Sequence, residues 1–282
     1  MSDATFKFVP DDKPSKASKK ALEAAAAQAT TDANDVSRGP LWSGFTAVLV
    51  VIAVYMISLY VGGGLLALYA AIHHWSSAYA NNWLSNSVPA QFFYVLIDET
   101  ITVLLLWGFL KWRRYKGVLR ALGLGRPRFE DMRYVFTGLL AYFVLYILIV
   151  NFAAKFINLD VGQQQDIGFQ VANSRGDLLL TFLSLVILPP LIEETVFRGF
   201  LFAGLRKSMR FVGAALITSA LFAVPHLFEG ASGRLLWTAG IDTFILSLVL
   251  CFAREKTGKL WAGMTIHGLK NFVAFYILFI HH

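Results

Sequence analysis

The chain is poor in the residues on which a soluble, disulfide-framed or metal-clustered protein depends. One cysteine, Cys251, among 282 residues excludes an intrachain disulfide and any cysteine-rich metal site. Charged residues make up 15% of the chain, where ordinary soluble domains carry about a quarter. The dense HExxH pattern of a helical zinc protease is missing. One stretch, HHWSSAYANNWLSNSVPAQ (73–91), holds no Lys, Arg, Asp or Glu at all. What is present instead is apolar: 56% of the residues are hydrophobic, gathered in several runs of roughly 20, the length that crosses a bilayer as a helix. The expectation is an all-α, polytopic transmembrane helical bundle seated in a lipid bilayer.

Two regions differ in kind. Residues 1–40 mix Pro, Ser, Asp and Lys without an apolar core. They have the composition of a disordered tail and lack the h-region of a signal peptide; only KKALEAAAAQA has helical character. Residues 41–282 carry the bundle. Its seven candidate spans are 42–72, 90–110, 134–157, 178–203, 211–228, 235–253 and 260–280. The first is long for one crossing and is expected to tilt or to break at Gly62-Gly63-Gly64. Pro189-Pro190 is expected to interrupt the fourth, with a fresh start near Leu191, because proline removes a helix donor and clashes with the preceding turn. No internal repeat is visible.

Basic residues alternate with the spans. Lys111, Arg113, Arg114, Lys116, Arg120, Arg126, Arg128 and Arg133 face only Glu130 and Asp131 in one loop. Arg206, Lys207 and Arg210 lie in the next alternate loop, and Arg254, Lys256 and Lys259 in the one after. The positive-inside bias therefore puts the N-terminus in the cytoplasm, and the plasma (inner) membrane is the expected site if the source is prokaryotic. The net charge of +7 follows from this bias and from anionic lipid, and does not argue for nucleic acid.

Ionisable residues inside spans are costly and usually functional. They are Asp98, Glu99, Glu193, Glu194, Arg198, His226, Asp242, His267 and Lys270, with Asn271 beside them. Glu194 and Arg198, four apart, share a helix face and are expected to pair, while Glu193, rotated by roughly 100°, remains available. Phe222 and His226 share a face, as do His267 and Asn271. At 1.5 Å per residue, Glu193, His226, His267 and Asn271 lie roughly 12–24 Å in from their adjoining basic loops, so spans four, five and seven can converge on one buried pocket. A glutamate in such a pocket can take a proton from water, a histidine can hold that water, and a second His with an Asn one turn on can face an oxyanion. These are the parts for hydrolysing an amide without a covalent intermediate. Glu193, His226 and His267 are also a possible zinc set. Against zinc, the positions next to the histidines (Pro225, Leu227, Ile266, Gly268) supply no side-chain acceptor to orient a ligand. Asp98, Glu99 and Asp242 have no evident spacing partner and read as structural or pathway-lining.

The same residues resemble a known family. EETVFR (193–198) looks like the EExxxR motif of the CPBP family, the intramembrane CAAX proteases and bacteriocin-processing (Abi) enzymes that include the Rce1-type prenyl-protein endopeptidases. FAVPH (222–226) resembles its FxxxH motif and HGLKN (267–271) its HxxxN motif. Their order and spacing fit over about 178–282, and LGLGRPR (122–128) is similar to the segment that precedes the core. The resemblance implies an intramembrane hydrolase acting on a membrane-associated peptide or protein, of CAAX or lipidated type. In it Glu193 and His226 activate water, Glu194 and Arg198 brace the site, and His267 and Asn271 form the oxyanion hole. It implies no cofactor, although the family carries a metalloprotease label and zinc stays open. Two other classes remain: a proton-coupled transporter using Asp98, Glu99, Glu193 and Asp242 as a relay, and a non-enzymatic immunity or scaffold protein.

The alternating bias has a direct check. Reporter fusions at Pro40 and His282 should give opposite signals, cytoplasmic at the first and external at the second, and equal signals at both ends would sink the seven-span topology.

Overall fold

The computed structural model describes Glu23 and residues 42–156, 159, 165, 167–229 and 234–281. Residues 40–282 form one compact unit, and residues 1–39 group separately. Apart from Glu23, the tail lies outside the described residues.

Nine helices follow one another among the described residues. They are α1 (Gly44–Ile72), α2 (Ser77–Ser85), α3 (Val88–Trp112), α4 (Val118–Leu122), α5 (Met132–Ala153), α6 (Arg175–Ser208), α7 (Phe211–His226), α8 (Trp237–Thr257) and α9 (Trp261–Phe279). Serine starts four of them: the hydroxyls of Ser43, Ser76, Ser87 and Ser174 each accept a first-turn backbone N–H, satisfying a donor that the helix itself leaves unpaired. At Ser174 the Asp177 carboxylate answers in kind, which completes a capping box. Glycine stops two others: Gly123 and Gly258 turn left-handed at the ends of α4 and α8, with φ of +89° and +67°.

Each expected span contains a long helix, but the seven are not equal. Five helices are long and apolar enough to cross a membrane: α1, α3, α5 with its leading 3₁₀ turn, α6 and α8. Helix α7, with 16 residues, is shorter than a full crossing. Helix α9 has 19 residues and falls outside the five because His267, Lys270 and Asn271 dilute its apolar run. The chain is an all-helical integral membrane protein, and the two of these seven helices that fall outside the five, α7 and α9, carry His226 and His267.

Two local expectations need correcting. Helix α1 runs unbroken through Gly62-Gly63-Gly64, since flanking Leu, Val and Tyr residues let the helix continue at modest cost. Helix α6 does not stop at its prolines either. It winds as a π-helix over Leu183–Ile187, returns to α at Leu188 with Pro189 and Pro190 in the first turn, and winds as π again over Glu194–Phe202. Proline at the start of an α stretch lacks only an N–H that would be unpaired there, so the interruption expected at the prolines takes the form of a change of winding, with the fresh α start at Leu188 instead of Leu191.

Helix α6 is packed by α1, α3, α7 and α9, and α8 lies against α5, α7 and α9. Trp42, Leu110, Phe200, Phe202 and Phe222 fill one core cluster; Val135, Tyr142, Ile245, Leu250 and Ile266 fill another. Outward-facing side chains are themselves apolar, among them Phe45, Tyr60, Leu68, Phe136 and Leu148, a surface suited to hydrocarbon and not to water. A strap at residues 121–126 lies against the second π stretch of α6, where a Cβ on Gly199 would stand 2.9 Å from Leu122 O. The Arg254 guanidinium donates to the carbonyls of Ala121 (3.3 Å) and Arg198 (3.4 Å). Leu260 N–H donates to Gly123 O at 3.0 Å, Trp261 Nε1 to Gly125 O at 2.5 Å and Lys259 Nζ to Arg126 O.

Helix α1 reaches α6 only because Gly204 has no side chain. A Cβ there would stand 2.7 Å from Ala47 Cβ and 2.8 Å from Trp42 Cδ1, and Trp42 Nε1 donates to Phe200 O at 2.8 Å. Gly204→Val is expected to force the helices apart at a cost of about 1–3 kcal/mol, read as a lowered thermal midpoint in detergent. An unchanged midpoint would mean that α1 tolerates displacement.

Candidate active site

The second π stretch of α6 begins at the charges that stand out in the sequence. Arg198 Nη1 donates to Glu194 Oε1 at 2.8 Å, and both side chains are fully buried. Four residues apart on one face, they neutralise each other where water is absent. The guanidinium also lies 4.5 Å above the ring of Phe222, a cation–π contact that gains strength from desolvation. Gly263 of α9 makes room for the pair: a Cβ there would be 2.9 Å from Glu194 Oε2. Glu193, one position earlier, turns away from Arg198 toward a cavity.

Helices α7 and α9 complete that cavity. His267, on α9, reaches both glutamates: its Nδ1 is 3.3 Å from Glu194 Oε1 and its Nε2 3.8 Å from Glu193 Oε2. A carboxylate paired with arginine only accepts, so the proton of the first contact sits on Nδ1. His226, at the end of α7, places Nδ1 2.9 Å from Phe222 O. A carbonyl also only accepts, so His226 Nδ1 carries a hydrogen, and its Nε2 lies 4.0 Å from Glu229 Oε1. Asn271 Nδ2 donates to Leu185 O at 2.9 Å. That carbonyl is the one whose α-helical partner would be the N–H of residue 189, which is proline, so Asn271 supplies the donor that Pro189 lacks. Glu193, His226, His267 and Asn271 line one cavity of about 340 Å³. The ring of Phe222 stands between, 5.3 Å from His226 and 5.9 Å from His267.

All of these side chains belong to one recognisable segment. Residues 175–273 match the type II CAAX prenyl endopeptidase Rce1-like family. A curated relative, an uncharacterized 24.3 kDa protein of Escherichia coli, is 36% identical over 93 residues, which is 32% of this chain and 41% of the relative. The chain thus spans about two fifths of the length of that relative. No solved structure matches. Every member of the three motifs falls within the Rce1-like segment.

The cavity also holds residues that spacing did not connect. Asp242 of α8, without an evident partner in the sequence, pairs with Lys270 of α9, whose Nζ lies 2.7 Å from Asp242 Oδ2. Tyr142 of α5, outside the Rce1-like segment, donates its hydroxyl to Asp242 Oδ1. Glu229 stands 4.0 Å from His226 Nε2 and accepts from Gln165 Nε2 at 2.5 Å; its position three residues after His226 was the available sequence signal. Asp98 and Glu99 do not line the cavity. They lie on α3, and Glu99 is within electrostatic range of Glu193. Tyr55 of α1 is within range of both glutamates, and no sequence signal marked it.

For zinc the structure corrects one premise. Both histidines do have acceptors at Nδ1, supplied by Glu194 from another helix and by the backbone of Phe222. Their orientation therefore suits ligation as well as it suits water. The ligand count does not: among the described residues, no group of three His, Cys, Asp or Glu side chains is arranged to hold a metal ion. No step below is routed through one.

The buried pair separates two roles for neighbouring glutamates. Arg198→Ala strands Glu194 without a countercharge and is expected to cost roughly 3–5 kcal/mol. It should therefore lower the thermal midpoint by several degrees, while Glu193→Gln, at the cavity wall, stays close to wild type. An Arg198→Ala variant that melts with wild type would rule out the brace.

Proposed function

We propose that the chain is an intramembrane endopeptidase that hydrolyses a peptide bond near the terminus of a membrane-embedded or lipidated, CAAX-type substrate. The observation that carries this reading is the meeting of Glu193, His226, His267 and Asn271, from three helices, on one cavity. The Rce1-like match over residues 175–273 supports the reaction class.

In this reading a water sits between Glu193 and Nε2 of His226 and directs its hydrogens at both. The substrate carbonyl enters opposite its lone pair. Glu193 takes one proton as the oxygen attacks the carbonyl carbon, then returns it to the leaving amine, so the enzyme ends as it began. The oxyanion accepts from the second Nδ2 hydrogen of Asn271 and from His267 Nε2. With Nδ1–H already committed to Glu194, His267 donates from Nε2 only as imidazolium. Phe222 and the fully buried Glu194–Arg198 pair keep bulk water from the far side. The apolar wall and the position of α6 among the long helices suit a substrate that arrives through lipid.

The competing classes make different demands. A scaffold or immunity protein does not need Glu193, and a proton-coupled carrier needs Asp98, Glu99 and Asp242 as a path; Asp242 is instead committed to Lys270 and Tyr142. Purified protein, incubated with a panel of peptides ending in CAAX-type and other apolar sequences, is expected to cleave at least one. Glu193→Gln should lower the rate at least a hundredfold, Asn271→Ala about as much, and 1,10-phenanthroline should change little. Full cleavage by Glu193→Gln would overturn the reading. Activity lost on chelation and restored by zinc would replace its metal-free form.

A further inference from the structure

Among the residues lining the 340 Å³ cavity, Lys270 is the one permanent cation. Its placement is costly: an ammonium group at 20% side-chain exposure, on an apolar helix, needs a partner. Asp242 provides it at 2.7 Å, and Tyr142 holds the other carboxylate oxygen. That arrangement fixes Asp242 from both sides and points the lysine back into the cavity. An ammonium has three hydrogens, and Asp242 takes one. Two remain, and Leu246, Ala274, Phe275 and Leu278 line the same cavity.

The same cavity therefore has two poles. At one stand Glu193 and the histidines. At the other, one helical turn on from His267 and next in sequence to Asn271, stands the Lys270 ammonium beside Asp242. A group that fits both is a short apolar chain end carrying a negative charge. We infer that Lys270 receives the free α-carboxylate of the substrate and thereby sets the cleaved bond a few residues from the C-terminus. The inference rests on the proposed protease reading and adds to it a residue that measures distance from the chain end. Tyr142 and Asp242 act as positioning residues: they hold the ammonium in place without touching the substrate.

The carboxylate accepts the two spare hydrogens as charge-assisted bonds, and an uncharged carboxamide of the same length forfeits most of that attraction. Removing Lys270 removes the discrimination with it. Lys270→Arg, which keeps the charge, should keep the preference in reduced form because the guanidinium fork does not reproduce the point charge.

The test uses full-length protein in detergent with synthetic peptides ending in three apolar residues, each made as the free acid and as the C-terminal carboxamide. Equilibrium binding is measured to the Glu193→Gln variant, so that affinity is read without turnover, and cleavage is measured with wild type. The expectation is a roughly tenfold to hundredfold preference for the acid, appearing in Kd and KM more than in kcat. In Lys270→Gln the acid-to-amide ratio should fall toward one, and in Lys270→Arg it should be partly restored. Equal binding of acid and amide to the Glu193→Gln variant, or no binding of either, overturns the inference. Acid preference in binding with no cleavage by wild type supports the carboxylate site and counts against the protease reading. Cleavage without acid preference does the reverse. Should Lys270→Gln fail to fold, the acid-to-amide comparison in the unmutated pocket and in Lys270→Arg still decides.

Discussion

A single desolvated ion pair organises this molecule. Glu194 and Arg198 have no exposed surface, and a charge at that depth is tolerated only against its opposite. Once the pair exists, its neighbours are constrained one after another. Gly263 has to be glycine for α9 to pass the carboxylate, Phe222 covers the guanidinium, and His267 finds an acceptor for Nδ1. The strap at residues 121–126 is held through Arg254, which donates to the carbonyl of Arg198 itself. Helices α4, α6, α7, α8 and α9 are thus indexed to two side chains. The pair consumes the charge of Glu194 completely, which is what leaves Glu193 as the carboxylate that faces the cavity.

Much of this was legible in the letters. Runs of apolar residues located every long helix, because hydrocarbon imposes a length that shows in one dimension. The four-residue step from Glu194 to Arg198 announced the pair, and three polar groups at similar depth announced a pocket. What escaped depended on which helices become neighbours. Asp242 looked solitary because Lys270 is on a different helix and Tyr142 lies 100 residues away. Asn271 read as an oxyanion donor, and nothing in HGLKN shows that one of its hydrogens is spent on Leu185. The zinc premise failed for the same reason: the acceptors for the histidine nitrogens come from across the bundle and from the backbone. Span counting failed more gently, since α7 and α9 shorten or dilute their apolar runs where they carry polar groups.

The matched segment and the site are not coextensive. Residues 175–273 hold the motif side chains, yet Tyr142, Gln165, Tyr55, Glu99 and the strap come from before it. The earlier helices orient Asp242 through Tyr142 and pack against α6.

The winding of α6 has a geometric consequence. A π turn closes its hydrogen bonds five residues back instead of four, so each such stretch takes up residues without advancing the helix face as an α-helix would. Wound uniformly as α from Arg175, with about 100° between neighbours, the same letters would bring Glu193 to a different compass bearing, out of line with α7 and α9. The aim of the carboxylate is therefore set by the backbone of its own helix, upstream of any rotamer. In that sense the first π collar works as the sight of the site, and the sequence between Leu183 and Glu193 encodes an angle as much as a set of functional groups.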